Sequence, residues 1–355
     1  MTTNNLFGQT ESQLHKILAD QGEPAYRAQQ VFAWLYKHRT AHISGMTNLP
    51  KTLRDRLQGQ FTIQRLDRFQ KFPSNDGSIK YVFQLEDGHS IEAVYMVMRK
   101  GITLCLSSQV GCAQACSFCQ TAQMGFIRNL KPEEIIGQAE AITRDQEVEG
   151  PFNVVMMGMG EPLLNLPNLI KTLDVLLHPD GFDLSPKRVT VSTSGHVRNL
   201  LELAKYPKLP RIAISLNASN DDQRNELMPV NERWPIAELL DACRQLPIPP
   251  RDRITFEYVL LGGINDSVAD AKRVVKLLQG LRCKINLIPF NQTPQLPYQQ
   301  PLDQAIEAFH QVLERAGIIN TIRWSKGRDV GAACGQLATP IPKPGARIHP
   351  IAPQV

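Results

Sequence analysis

The sequence predicts an α/β protein: a partial (β/α) barrel on a parallel sheet, preceded by a helical accessory domain and a small β-hairpin element. Three observations predict it. From about residue 100, short apolar runs alternate with amphipathic stretches, as in repeated βα units whose strands are buried on both faces. The first 60 residues carry apolar side chains at helical spacing. Between them, residues 61–99 change to strand-like runs broken by Gly-containing turns.

Taken in order, Glu11–Leu18 opens an amphipathic helix, and Pro24 opens a second carrying Ala28, Val31, Phe32, Trp34 and Leu35. Pro50 opens a third over Lys51–Leu57. Tyr81–Leu85 and Ile91–Tyr95 read as strands joined by Glu86-Asp87-Gly88, with an earlier turn at Asn75-Asp76-Gly77. Barrel strands are expected at Ile102–Ser107, Val154–Met157, Val189–Ser192, Ile212–Leu216, Ile254–Leu260, Ile285–Ile288 and Thr321–Trp324. Helices are expected at Pro132–Arg144, Leu169–Leu177, Ile236–Leu246, Val268–Leu278 and Leu302–Ala316. The expected divisions are a basic helical domain (1–60), an antiparallel element (61–99), the barrel (100–325) and a C-terminal loop with a proline-rich tail (326–355). In such barrels chemistry sits at the carboxyl ends of the strands.

Composition bounds the function. Hydrophobic residues make up 42% and charged residues 21% of 355, which argues against global disorder. No apolar run approaches the roughly 20 residues that span a bilayer, and Met1–Asn5 lacks the features of a signal peptide. A cytoplasmic protein with no membrane partner is expected. Residues 1–75 hold ten Lys or Arg against five Asp or Glu, so the net charge of +5 is concentrated there. That asymmetry reads either as a docking module for a polyanion or as a solvated charged surface.

Seven cysteines, an odd number, make a poor disulfide framework. Cys243 and Cys283 sit in apolar contexts and read as core thiols. Cys112, Cys116 and Cys119 follow the first barrel strand with C-x3-C-x2-C spacing. The spacing also fits one face of a helix, and zinc is a second alternative, although structural zinc usually takes four ligands. Three thiolates hold three irons of a 4Fe–4S cluster and leave the fourth open to a chelating ligand.

This loop, with Phe118 before its last cysteine, resembles the radical S-adenosylmethionine superfamily. Longer stretches resemble the RlmN/Cfr family of RNA methyltransferases: Leu104–Cys112, Thr121–Phe126, Asn153–Pro162, Val191–Gly195, Lys284–Pro289 and Ala332–Gln336. The resemblance implies a partial TIM-like barrel of the radical S-adenosylmethionine type and one 4Fe–4S cluster. It implies S-adenosylmethionine chelated to the open iron, two molecules being used per turnover. Gly160 and Glu161, at the end of an apolar strand, are implied to bind its amino group; Ser192, Ser215, Leu216, Asn217 and Asn291 are implied cofactor contacts. Asn217 departs from the family, where a histidine usually follows Ser-Leu.

Cys105 and Cys334 read as structural thiols, as a disulfide, or as the reactive pair that the family implies. In that last reading Cys334 is methylated on sulfur, its methyl group reaches carbon-2 of an adenine by a radical route, and Cys105 resolves the thioether by forming a disulfide. Glu92 matches the family's proton acceptor, its plainer reading being an exposed strand carboxylate; the choice between Glu92 and Cys105 as the base stays open. Implied partners are 23S rRNA at the peptidyl transferase centre, the tRNA adenosine 3′ of the anticodon, and an electron donor such as flavodoxin or ferredoxin. Three other functions compete: carbon-8 methylation of the ribosomal adenosine, radical chemistry on a small molecule, and a non-catalytic zinc RNA-binding module.

Overall fold

Alternating apolar strands need cover on both faces, and the chain supplies it by returning through a helix after each one. The computed structural model describes residues 4–338; the proline-rich tail after Pro340 lies outside them. Ten strands form one sheet. The first three, β1 (Phe69–Pro73), β2 (Ile79–Gln84) and β3 (Ser90–Met98), are antiparallel neighbours, and β3 continues antiparallel to β4 (Gly101–Cys105). From β4 onward every pairing is parallel and in chain order: β5 (Asn153–Met156), β6 (Val189–Thr193), β7 (Arg211–Ser215), β8 (Ile254–Leu260), β9 (Cys283–Pro289) and β10 (Asn320–Ile322).

Helices Pro132–Asp145, Leu166–Leu176, Val197–Leu203, Ile236–Gln245, Val268–Leu277 and Asp303–Arg315 fill the crossovers. In the sheet's hydrogen-bonded order β10 and β1 are the two ends, so the barrel is partial. The antiparallel element is therefore no separate unit: it prolongs the barrel sheet, pairing Val94 with Cys105. Sequence reading passed over Val197–Leu203 and Asp221–Leu227, each 7 residues long and too short to establish a helical period. No helix among the described residues is long and apolar enough to cross a membrane.

The N-terminal helices Glu11–Ala19, Tyr26–Tyr36 and Lys51–Gln60 enclose their own core of Leu14, Phe32, Leu35, Leu53 and Leu57, joined by Ile136 and Val175 from barrel helices. Arg65 fastens this module to the barrel. Its guanidinium lies 2.5 Å from the Glu140 carboxylate and donates to the Leu35 and Thr40 carbonyls. Of the ten basic residues expected to dock a polyanion, Lys37, Arg65 and Lys71 pair with barrel acids Asp180, Glu140 and Asp145. Arg27 and Arg56 pair with Glu23, and Lys51 with Asp55. Much of that charge is thus spent within the protein.

Removing one partner of a buried ion pair strands the other charge in a low-dielectric site. Arg144 lies 3.8 Å from Glu140 but is itself 45% exposed, a weak substitute. Arg65→Met is expected to destabilise the protein by about 3 kcal/mol, towards the lower limit for broken buried pairs. Chemical denaturation of the variant beside wild type checks this.

Candidate active site

Chemistry-bearing side chains collect where the parallel strands end. The chain leaves β4 through Leu106–Ser108 and forms a short ladder, Gln109–Gly111 against Phe126–Asn129, with the three cysteines in the loop between. Gly111 has φ +72°, and a Cβ there would fall 1.9 Å from the Gly125 carbonyl oxygen. Cys112 N–H donates to that same oxygen at 2.8 Å, and Cys119 N–H donates to the Cys116 carbonyl at 3.2 Å. Residues 112–119 are not helical, and the next helix begins at Gln120; the helix-face reading of the spacing is therefore corrected. Ala115, a non-glycine at φ +52°, shows how tightly the loop is held.

Burial pushes the Cys112 thiol up to about 12 and raises Cys116 and Cys119 as well, with mutual repulsion among the thiolates adding to it at Cys112 and Cys116. Such a triad gives up its protons when positive charge binds to compensate it. Among the described residues no set of three His, Cys, Asp or Glu converges on a single ion. A cluster spreads its irons across its ligands, so the donor set fits three irons of a 4Fe–4S cluster.

The three cysteines line a cavity, partly open to solvent, together with Gly160, Glu161, Ser192, Ser215, Asn217, Asn291 and Cys334. Two glycines let β5 close one side: a Cβ at Gly158 would meet the Leu106 backbone at 2.7 Å, and one at Gly160 would meet the Gln109 side chain at 2.5 Å. Glu161 is buried, its carboxylate accepting from Leu163 N–H at 3.0 Å and Ser194 N–H at 2.7 Å. The Ser194 hydroxyl lies 2.8 Å from both Glu161 Oε2 and Gln114 Oε1, one proton between two acceptors.

Leu216 is fully buried and is not among the lining residues. Asn217 sits at φ +54°, a conformation asparagine tolerates better than most residues. Its Oδ1 accepts from Val259 N–H at 2.8 Å and its Nδ2 donates to Met228 Sδ, so the amide locks strand ends together. Asn291 donates to Ser325 Oγ at 2.9 Å and to the Cys334 carbonyl at 3.1 Å. Its Oδ1 is buried with no partner among the described residues, an acceptor left for a ligand.

Cys334 also lines a narrower cavity with Cys105, Met96, Met157 and Arg323. Both cysteines are free thiols in the structure, while Cys243 and Cys283 lie in the core. Burial, assisted by Cys334, pushes the Cys105 thiol up to about 12. Glu92 is only 3% exposed, contrary to the plainer sequence reading. It shares a sheet face with Val94, the register partner of Cys105, and lies 3.8 Å from Lys80.

Sequence reasoning missed Arg323, Glu257 and Arg224. Arg323 lines both cavities, stands 3.9 Å from Glu257 and has its pKa raised chiefly by Cys334. Burial raises the Glu257 carboxyl against the pull of Arg323. Arg224, fully buried and pushed down to about 10, donates to the Ser194, Ser215 and Leu216 carbonyls and so braces the ends of β6 and β7. The available signal was a charge inside an otherwise apolar strand, as in Ile254-Thr255-Phe256-Glu257-Tyr258-Val259-Leu260.

Comparison with known proteins bears on this arrangement. The Radical SAM superfamily profile matches residues 106–276, and the ribosomal RNA large subunit methyltransferase N-terminal domain matches residues 4–63. The dual-specificity RNA methyltransferase RlmN of Solidesulfovibrio magneticus is 45% identical over 94% of this chain and 96% of its own. That of Geobacter sulfurreducens is 44% identical, covering 95% and 92% respectively. The crystal structure of a radical SAM methyltransferase from Sphaerobacter thermophilus superposes with a TM-score of 0.87 at 43% identity, over 94% of this chain and 99% of that one.

A thiol pushed up to about 12 holds about a thousand-fold less thiolate near neutrality than one at the ordinary value of 9. Alkylation of Cys105 by iodoacetamide in the folded protein is expected to be slow at pH 8. Its rate is expected to keep climbing through pH 10, where a denatured control levels off. Peptide mass spectrometry at several pH values reads it.

Proposed function

The chain belongs to the RlmN/Cfr family of radical S-adenosylmethionine RNA methyltransferases, and from that premise we propose that it methylates carbon-2 of adenosine in 23S rRNA and in tRNA. The observation that carries the reading is the position of Cys334, which lines both the cavity of the three-cysteine loop and the cavity holding Cys105.

Cys112, Cys116 and Cys119 hold the 4Fe–4S cluster. Glu161 and Asn291 offer acceptors for the S-adenosylmethionine ammonium and adenine, and Ser192 and Ser215 supply hydroxyls beside it. When bound, these cofactors provide a methyl group for sulfur and, on one-electron reduction by a flavodoxin or ferredoxin, the means of turning an S-methyl group into a carbon radical; two S-adenosylmethionine molecules are used per turnover.

The residues of the chain account for the rest. Carbon-2 of adenine is an electron-poor amidine carbon, so methylation there needs a covalent carrier, and Cys334 sulfur is a soft nucleophile suited to it. Arg323 places a fixed positive charge in the cavity that this sulfur lines. Joining the methylene carbon to carbon-2 leaves one unpaired electron, which would return to the redox couple that supplied it; Glu92, held in place by Lys80, or the Cys105 thiolate takes the carbon-2 proton, and a closed-shell thioether results. Cys105 sulfur then attacks Cys334 sulfur: the sulfur–carbon bond breaks, its electron pair passes to the methylene carbon, that carbon takes a proton, and a disulfide remains for an external thiol to reduce. The target base must leave its stack to reach Cys334.

Cys105→Ala is expected to retain RNA covalently bound through Cys334, whereas Cys334→Ala forms no adduct. Denaturing gel electrophoresis under anaerobic turnover conditions distinguishes them, and recovery of no adduct from Cys105→Ala removes the resolving role. Nucleoside mass spectrometry of treated RNA is expected to give 2-methyladenosine; 8-methyladenosine overturns the regiochemistry.

A further inference from the structure

Trp324 follows Arg323 at the end of β10 and leaves 50% of its surface in solvent. It lines the narrow cavity beside Cys105 and Cys334, next to Met98, which is itself 37% exposed. Large apolar side chains exposed around a reactive cavity forgo burial free energy, the mark of a surface that receives something. The Arg328 guanidinium covers the Trp324 ring at 5.1 Å from its centroid.

The segment bearing these residues is held rigidly. Asp329 accepts from Ser74 Oγ at 2.5 Å and Asn75 N–H at 3.0 Å; Asp76 accepts from Gly327 N–H at 2.8 Å, and its carbonyl accepts from Lys326 Nζ. These bonds go to the turn of the β1–β2 hairpin. They also occupy the two nearby carboxylates, while Arg328 and Lys326 are in no ion pair among the described residues. A preorganised aromatic ring with a guanidinium stacked on it, at the mouth of a cavity, suits a nucleobase followed by its phosphate.

We propose that Trp324, backed by Arg328, is the stacking platform for the base adjacent to the adenine being methylated. The proposal rests on the RNA methyltransferase reading and adds how the substrate is held. Flipping the target out of its stack deprives a neighbouring base of its partner, at a cost the enzyme must offset. A ring at the cavity mouth replaces the lost partner without reading sequence, because every base has a π-face. It also supplies RNA contacts that the largely self-paired N-terminal charges do not.

The test is a double-mutant cycle in anaerobic binding titrations of the full-length, cluster-loaded protein with a tRNA anticodon stem-loop. One axis is Trp324→Ala; the other replaces a nucleotide flanking the target adenosine by an abasic one, on each side in turn. Trp324→Ala is expected to bind the intact stem-loop about ten-fold more weakly, the usual loss of one stacked base. At one flanking position wild type loses about the same factor, and the two changes together cost no more than either alone. Trp324→Phe is expected to stay within about three-fold of wild type, since a phenyl ring still stacks. Equal affinity of Trp324→Ala and wild type overturns the proposal, and so do losses that multiply independently at both positions. Unchanged RNA affinity with turnover lost only when flavodoxin replaces dithionite assigns the patch to the reductant and overturns it too. If wild type itself fails to bind the stem-loop, the RNA reading has failed beneath it.

Discussion

The site depends on how one irregular loop is tied down. Residues 326–337 contain only a single short turn of helix at Arg328–Val330, yet they carry Cys334, which must meet both the cysteine loop and Cys105. Such a segment places a sulfur accurately only if its backbone polar groups are taken up by rigid neighbours. Three neighbours do this. Gln120 N–H donates to the Gly335 carbonyl at 2.8 Å and Thr121 Oγ1 to the Leu337 carbonyl at 2.5 Å, stitching it to the cysteine loop. Asn291, after β9, holds the Cys334 carbonyl, while Asp76 and Asp329 clamp the loop to the β1–β2 hairpin. There the loop faces Cys105 of β4 and Arg323 just after β10.

That arrangement gives the antiparallel strands a purpose. They extend the sheet far enough to carry Glu92 on the face shared with Cys105, and their first turn anchors the loop bearing Cys334. The same strands thus adjoin both Cys105 and the loop bearing Cys334.

Buried charge sets the electrostatics. Cys105 is held protonated by burial, and Arg323 sets a fixed cation in the cavity that Cys105 and Cys334 share. Arg323 in turn leans on Glu257, whose carboxyl is raised by burial, so the cation is only loosely neutralised. Arg224 spends its charge on carbonyls that end β6 and β7 and so keeps the rim in shape.

Much of this was legible in the residues. Short apolar runs and amphipathic stretches report burial directly, so the βα alternation and the helical N-terminus followed from local pattern. The C-x3-C-x2-C loop and the long motifs identified the chemistry, because ligand count and spacing are properties of the chain itself. What the chain alone left open depended on contacts distant in sequence: that β3 joins β4, that Glu92 is buried, that 112–119 is not a helix, and that Asn217 braces Val259. Arg323 meets Glu257 across 66 positions, and Asp329 meets Ser74 across 255. No local periodicity encodes such pairs. The sequence by itself singled out the candidate groups; the tertiary structure decided which of them face one another, because burial and Coulomb attraction act through space rather than along the backbone.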